Sequence, residues 1–446
     1  MTVVPAITAA AATAISEYFF FKVFPLCRSG VGALLPIEPV AEILGGGILF
    51  RIVFSKFLFG VLHPRKRESS SCYEAVINRE RRWATMKITN VEVVLEERAG
   101  MSPAFVWRKN VPGSDGAHTG AWLVIETDAG ITGFASVSRG VIFKDYVDRR
   151  FRAEFVGQDP LMREHLWERV WELDRIERFA PNMTHVFDVA LWDIAGKQAN
   201  LPVYKLLGGY RESIPAYAST VTYSSIEEFL DIADQALALG YPAIKLHAFG
   251  DAKKDALLGE KLRAHVGDDI PLMYDGSAGF DLEDAVYLGN ALYDSGFAWY
   301  EEPMREFSVT AYKWLGQRVK IPLLLGEVTD GAHMSAGDFA ATGVATSLRT
   351  STFLRGGFTG AMRIAHLADA YHLRAEVHGM GLESAHLCMA IKNTTYYESL
   401  IWGNPMKREA LVDAQGNVHA PKGPGVGYET QWAESGVPKG LAKYVK

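Results

Sequence analysis

The sequence predicts an α/β protein: a (β/α)8 TIM-type barrel with an α+β capping domain formed by the N-terminal part and the C-terminal tail. Three observations predict it. From Ser213 onward eight short apolar runs recur: IPAYAS, AIKLH, PLMYD, AWYEE, PLLLGE, TSLRTS, LRAEVH and TTYYES. Amphipathic stretches such as SIEEFLDIADQALALG, LEDAVYLGNALYDSG and TGAMRIAHLADAY separate them, which is the rhythm of strand–helix units closing into a barrel. Ahead of them lies a segment of another pattern, in which strands come first and helices follow.

Residues 1–85 belong to neither pattern and read as a leader or non-domain extension. Their apolar runs, FFFKVFPLC and LGGGILFRIVFSKFLFGVLH, are interrupted by Pro36, Glu38, Pro39 and Glu42 on one side and by Arg51 and Lys56 on the other. A membrane span needs about 20 uninterrupted apolar residues, and a secretory signal needs a basic start; here the first charge is Glu17. LGGGIL lacks the βαβ context of a dinucleotide loop. Residues 86–212 are the expected capping domain. MKITNVEVVLEE alternates like a strand, and GAWLVIETDAGITGFAS reads as a hairpin turning at Asp128-Ala129-Gly130. Residues 160–200 look helical, with apolar stripes at Leu166, Val170 and Leu173 and at Phe187, Ala190, Leu191 and Ile194. The barrel occupies 213–404. The Gly/Pro-rich remainder, 405–446, is too short for a domain and is expected to return to the first one.

Composition bounds the function. The 446 residues are 48% hydrophobic and 22% charged, enough for a large core and unlike a disordered chain. A net charge of −6 offers no basic surface for nucleic acid, and none for the membrane where the catalytic part is concerned. Cys27, Cys72 and Cys388 stand in no ligand or disulfide spacing, which predicts a reducing, cytoplasmic setting for the catalytic part. The leader leaves targeting open.

In such a barrel, chemistry sits at the C-terminal ends of the strands. The second run ends in Lys245 and His247, the third in Asp275, the fourth in Glu301, the fifth in Glu327 and the seventh in His378; the eighth carries Glu398. Asp275, Glu301 and Glu327 are 26 residues apart in each step, one strand–helix unit each. A single acidic residue there commonly caps a helix. Three in register would repel one another unless a cation neutralised them, and all-oxygen ligation selects a hard metal, Mg²⁺. Alternation sends Glu301 and Glu302 opposite ways, so only one of them can be a ligand. Lys245 and His247, two apart, share a face, and His378 approaches from across the ring. His372 and His386 read as structural.

The constellation resembles the enolase superfamily, in its mandelate racemase/muconate-lactonizing branch, over essentially all of 86–446. GQDPLMREHLWERVWEL and HVFDVALWDIAGKQANLPVYKLLGG are similar to the family's first domain. AIKLH is similar to its paired-base strand, YDGSAGF, WYEEP and LLLGE to its metal-ligand strands, and LRGGFTGA to its sixth loop. VHG and YYES carry His378 and Glu398. The resemblance implies that Glu301 is the ligand and Glu302 lies outside the shell. Three positions depart from it. His247 stands where the family has lysine, and Ser277 where it often has asparagine. Ser351 stands where an aspartate pairs with the seventh-strand histidine, so His378 is expected to lack a carboxylate partner.

What the resemblance implies is Mg²⁺-assisted removal of the proton α to a carboxylate, with an acid sugar as the small-molecule partner and a homo-oligomer as the assembly. Lys245 would add positive charge and His247 would act as base. Glu398, if protonated, would donate a hydrogen bond, and His378 would protonate a departing hydroxyl to give a 2-keto-3-deoxy acid. Racemisation or epimerisation of a 2-hydroxy acid and cycloisomerisation are the alternatives within the family, and a non-catalytic barrel that binds metal and acid is the alternative outside it. Loops of the first domain, 97–113 with Arg108 and 136–145 with Arg139, are the expected source of specificity.

Overall fold

The computed structural model describes residues 42–44, 47–49, 86–178 and 185–445. The chain divides into a unit ending at Arg82 and one beginning at Trp83. Within the first, β1 (Glu42–Leu44) pairs antiparallel with β2 (Gly47–Leu49), so LGGGIL does not sit in a parallel βαβ unit. The rest of the expected leader lies outside the described residues.

The second unit begins with an antiparallel sheet ordered β3 (Ile88–Arg98), β4 (His118–Thr127), β5 (Thr132–Val137). The predicted hairpin turn is present, with Gly130 at φ 73° and its amide donating to the Thr127 carbonyl. Then come α1 (Gly140–Tyr146), a π-turn over Val147–Phe151, α2 (Arg152–Phe155), α3 (Arg163–Glu177), α4 (His185–Ala199) and α5 (Val203–Leu206). The expected stripe of α3 is buried. Helix α4 goes further than its sequence pattern: Val186, Val189, Asp188 and Asp193 are buried beside the apolar stripe. It is covered on two sides. Asp193 accepts from the Phe134 amide of β5, while Asp188 accepts from the Thr359 amide on the barrel.

The eight apolar runs form eight parallel strands: β6 (Ser213–Ser219), β7 (Ile244–His247), β8 (Leu272–Asp275), β9 (Tyr300–Glu301), β10 (Leu323–Leu325), β11 (Ser347–Thr350), β12 (Arg374–Val377) and β13 (Tyr397–Leu400). Their order, β12-β11-β10-β9-β8-β7-β6-β13, brings the eighth strand against the first. Between them lie α6 (Ile226–Ala238), α7 (Ala252–Val266), α8 (Leu282–Asp294), α9 (Val309–Gly316), α10 (Ala332–Thr342), α11 (Gly357–Ala370) and α12 (Leu382–Ala390). Ser225, Asp251, Asp281 and Ser308 cap the first four by accepting backbone amides. No helix follows β13 directly. The chain instead adds β14 (Asn417–His419) antiparallel to β6, then α13 (Tyr428–Ser435). Trp432 of α13 packs against Trp122 and Phe134 of the antiparallel sheet, at 5.1 and 5.2 Å between ring centroids. The fold is thus a TIM-type barrel with a cap completed by the C-terminal tail. Among the described residues no helix is long and apolar enough to cross a membrane.

Strand alternation builds the barrel interior in layers. Tyr217, Ala243, Met273, Trp299 and Leu324 form a separate apolar floor, while Ile244, Leu272, Tyr274 and Tyr300 face the helices. Two residues beyond Ala243, Met273 and Trp299 come Lys245, Asp275 and Glu301, so period two lifts a polar layer directly above the floor.

Candidate active site and metal centre

That polar layer gathers Lys245, Asp275, Glu301, Glu327 and Glu398, and each is buried. Ligand oxygens of Asp275, Glu301 and Glu327 all lie within 4.8 Å of one another. Asp275 and Glu301 end β8 and β9, and Glu327 sits two residues past β10. The Glu301 Oε1 and Glu327 Oε2 atoms are buried and meet only ion-pair contacts, with no hydrogen bond of proper geometry, which leaves them oxygens to offer to a cation. Carboxylates only, converging with oxygens to spare, fit a hard divalent cation. Glu302 stands outside this triad, as alternation requires.

Lys245 Nζ lies 3.1 Å from Asp275 Oδ2, 3.0 Å from Glu301 Oε2 and 2.6 Å from Glu398 Oε1. Burial opposes its charge, but Glu301 and Glu398 outweigh burial and hold the ammonium well above its usual pKa. His247 shares its face, as predicted: Nε2 is 3.0 Å from Asp275 Oδ2 and Nδ1 is 2.6 Å from the Thr220 carbonyl. A carbonyl can only accept, so Nδ1 carries a proton, and Nε2, turned toward the Asp275 carboxylate, is the nitrogen left to exchange one. The Trp107 ring lies 4.9 Å away and covers the imidazole from the capping domain.

Across the barrel, His378 follows β12, with Nδ1 3.2 Å from Glu327 and 3.4 Å from Glu398. This corrects the expectation drawn from Ser351, whose hydroxyl instead accepts the amides of Phe353 and Leu354. His378 faces two carboxylates after all. Burial lowers its pKa, yet Glu327 and Glu398 more than offset that and raise it. Burial likewise raises Glu398, but Lys245, Arg349 and His378 overcome it, so its carboxyl is held well below the usual range. The protonated Glu398 considered from sequence is therefore disfavoured.

Neither expected specificity arginine presents a free guanidinium to this layer. Arg108 Nε donates to the Ser277 carbonyl at 2.9 Å and ties the capping loop to the turn after Asp275. Arg139 pairs with Asp115 at 2.8 and 3.0 Å, half exposed on the surface. His386 is structural, as expected, accepting the Tyr204 amide and reaching the Val426 carbonyl. Three residues were missed. Arg349 of β11 lies within ion-pair distance of Glu301, Glu327 and Glu398. Glu306 accepts the Gly326 amide at 2.6 Å and the Val328 amide at 3.2 Å, from the two residues flanking Glu327. Trp107 covers His247. Arg349 was findable, since a charge inside a run destined for full burial is itself a signal.

A buried carboxylate triad at the mouth of a barrel, with a lysine and two histidines around it, defines an enzyme equipped for acid–base chemistry beside a cation site. The chain belongs to the enolase superfamily, in its mandelate racemase/muconate lactonizing enzyme family. The N-terminal domain model of that family matches residues 112–208, and the enolase C-terminal domain-like model matches 228–434. The chain is 29% identical over 324 residues to a 3,6-anhydro-alpha-L-galactonate cycloisomerase of Streptomyces coelicolor, covering 68% of this chain and 86% of that protein. It is 27% identical over 296 residues to a D-mannonate dehydratase of Novosphingobium aromaticivorans, covering 58% and 73%. Its fold matches the magnesium complex of D-glucarate dehydratase from Agrobacterium tumefaciens with TM-score 0.70 and 30% identity, over 77% of this chain and 96% of that one.

Proposed function

We propose that the protein is a Mg²⁺-dependent hydro-lyase that dehydrates an acid sugar to a 2-keto-3-deoxy acid. The observation that carries this is the buried triad with the His247 imidazole on one side and the His378 imidazole on the other. A divalent cation bound by Asp275, Glu301 and Glu327 would supply positive charge to stabilise the enediolate form of the substrate. Lys245, kept as ammonium by its three carboxylates, adds to that positive field and is unsuited to be the base. His247 Nε2 takes the α-proton, with Nδ1 anchored on Thr220 to fix the tautomer. His378 gives its proton to the β-hydroxyl, which leaves as water, and the enol tautomerises to the ketone. Glu398, as a carboxylate, orients Lys245 and Arg349.

On the same reading residues 86–212 and 405–446 form the cap and 213–404 the catalytic barrel. The sparse cysteines support a cytoplasmic setting, Cys388 being free and buried. Relatives named as dehydratases fit elimination, and the relative named as a cycloisomerase fits the alternative within the family. Incubating the protein with Mg²⁺ and a panel of aldonic and aldaric acids in D₂O is the direct test. A 2-keto-3-deoxy product with solvent deuterium is expected, and loss of both activities in Glu327→Gln. Neither product nor exchange across the panel would sink the proposal.

A further inference from the structure

Arg349 points its guanidinium into the barrel interior and is fully buried. Each nitrogen has a separate neighbour. Nη1 donates to the Val377 carbonyl at 3.1 Å, and Nη2 reaches Tyr217 Oη and Glu398 Oε2, both at 3.0 Å. Nε lies 2.5 Å from Glu301 Oε1 and 3.5 Å from Glu327 Oε2. Those two oxygens and Nε itself are the atoms left without hydrogen-bond geometry. The anchored ends of Arg349 thus hold a positive edge against oxygens that the triad offers to a cation. Lys245 differs, because it bonds the other oxygen of Glu301.

A guanidinium does not deprotonate in proteins, so this charge is permanent. Without a cation it relieves the repulsion between Glu301 and Glu327. With one it becomes a like charge a few ångströms away. We propose that Arg349 is a positioning residue and resident counter-charge of the metal centre, which holds the empty triad together and sets its metal affinity below that of the same carboxylates alone. The inference rests on the metal site of the proposed function, but not on its reaction.

The test is calorimetric titration of Mg²⁺ and Mn²⁺ into the metal-free full chain, into Arg349→Gln and into Arg349→Lys, with thermal melts of each in and out of saturating Mg²⁺. Removing the charge is expected to tighten metal binding on the order of tenfold, whereas Arg349→Lys, which keeps it, stays close to the wild type. The melting temperature of Arg349→Gln is expected to drop without metal and to recover in Mg²⁺. Binding by Arg349→Gln that is unchanged or weaker would overturn the inference. If that variant is unfolded without metal, refolding on Mg²⁺ addition supports the counter-charge, while a chain that stays unfolded overturns it in favour of packing. A wild-type chain that binds neither metal would sink the metal reading itself, a result separate from all of these.

Discussion

At the scale of single residues, the two histidines divide the proposed reaction. His247 Nε2 initiates it, so His247→Asn is expected to lose both solvent exchange and product, by roughly 10²–10⁴-fold. His378→Asn is expected to retain α-proton exchange in D₂O while product formation falls by a similar factor, as NMR would read directly. The pH profile has a definite sign. The acid form of His378 is lost as pH rises through its pKa, so dehydration declines on the alkaline side. In His378→Asn that limb disappears from the residual rate. Asp275, Glu301 and Glu327 were legible because each closes or flanks a short apolar run, where the mouth of a barrel must be, and Lys245 because it shares a face with the terminal His247. Arg349 was passed over because it stands inside its run, and alternation, not terminal position, is what turns it inward.

At the scale of elements, two joints between neighbouring segments decide geometry. Glu306, in the loop after β9, accepts the amides of both residues beside Glu327 and so fixes a ligand it never touches. Glu306→Ala is expected to weaken Mg²⁺ binding about 10–100-fold by calorimetry, with Glu306→Gln losing less because its carbonyl still accepts one amide. The second joint is α4 against the start of α11. Asp188 accepts the Thr359 amide at 2.9 Å, and a Cβ on Gly357 would lie 2.3 Å from its Oδ2, which is why LRGG places glycine there. Burial raises the Asp188 carboxyl to about 7. Its unfolded pKa is about 3.9, so the folded chain keeps a proton that the unfolded chain releases. Its contribution to stability is therefore present at low pH and declines as pH rises between those values. Asp188→Asn is expected to flatten that part of a melting-temperature profile taken from pH 5 to pH 8. The stripe of α4 was readable in the chain, but its second buried face was not, since that face exists only because a barrel helix lies on it.

At the scale of the molecule, the cap and the barrel share residues distant in sequence. The tail returns Trp432 to Trp122, Trp167 of α3 donates to the Gly356 carbonyl at 2.8 Å, and Arg108 latches the first loop onto the turn after the first metal ligand. A chain beginning at Met86 is expected to keep full activity and metal affinity. Loss of either in that shortened chain would show that the leader contributes to the centre.

The sequence by itself determined the barrel, the cap and the identity of the polar layer, because strand period and strand-end position are local properties that survive without coordinates. Only the tertiary structure decided what those residues do to one another. It gave His378 two carboxylates despite Ser351, spent Arg108 on backbone carbonyls and Arg139 on Asp115, and set Arg349 among the ligands. Each of these depends on which atoms meet across the interior of the barrel. That is fixed by packing between segments far apart in the chain.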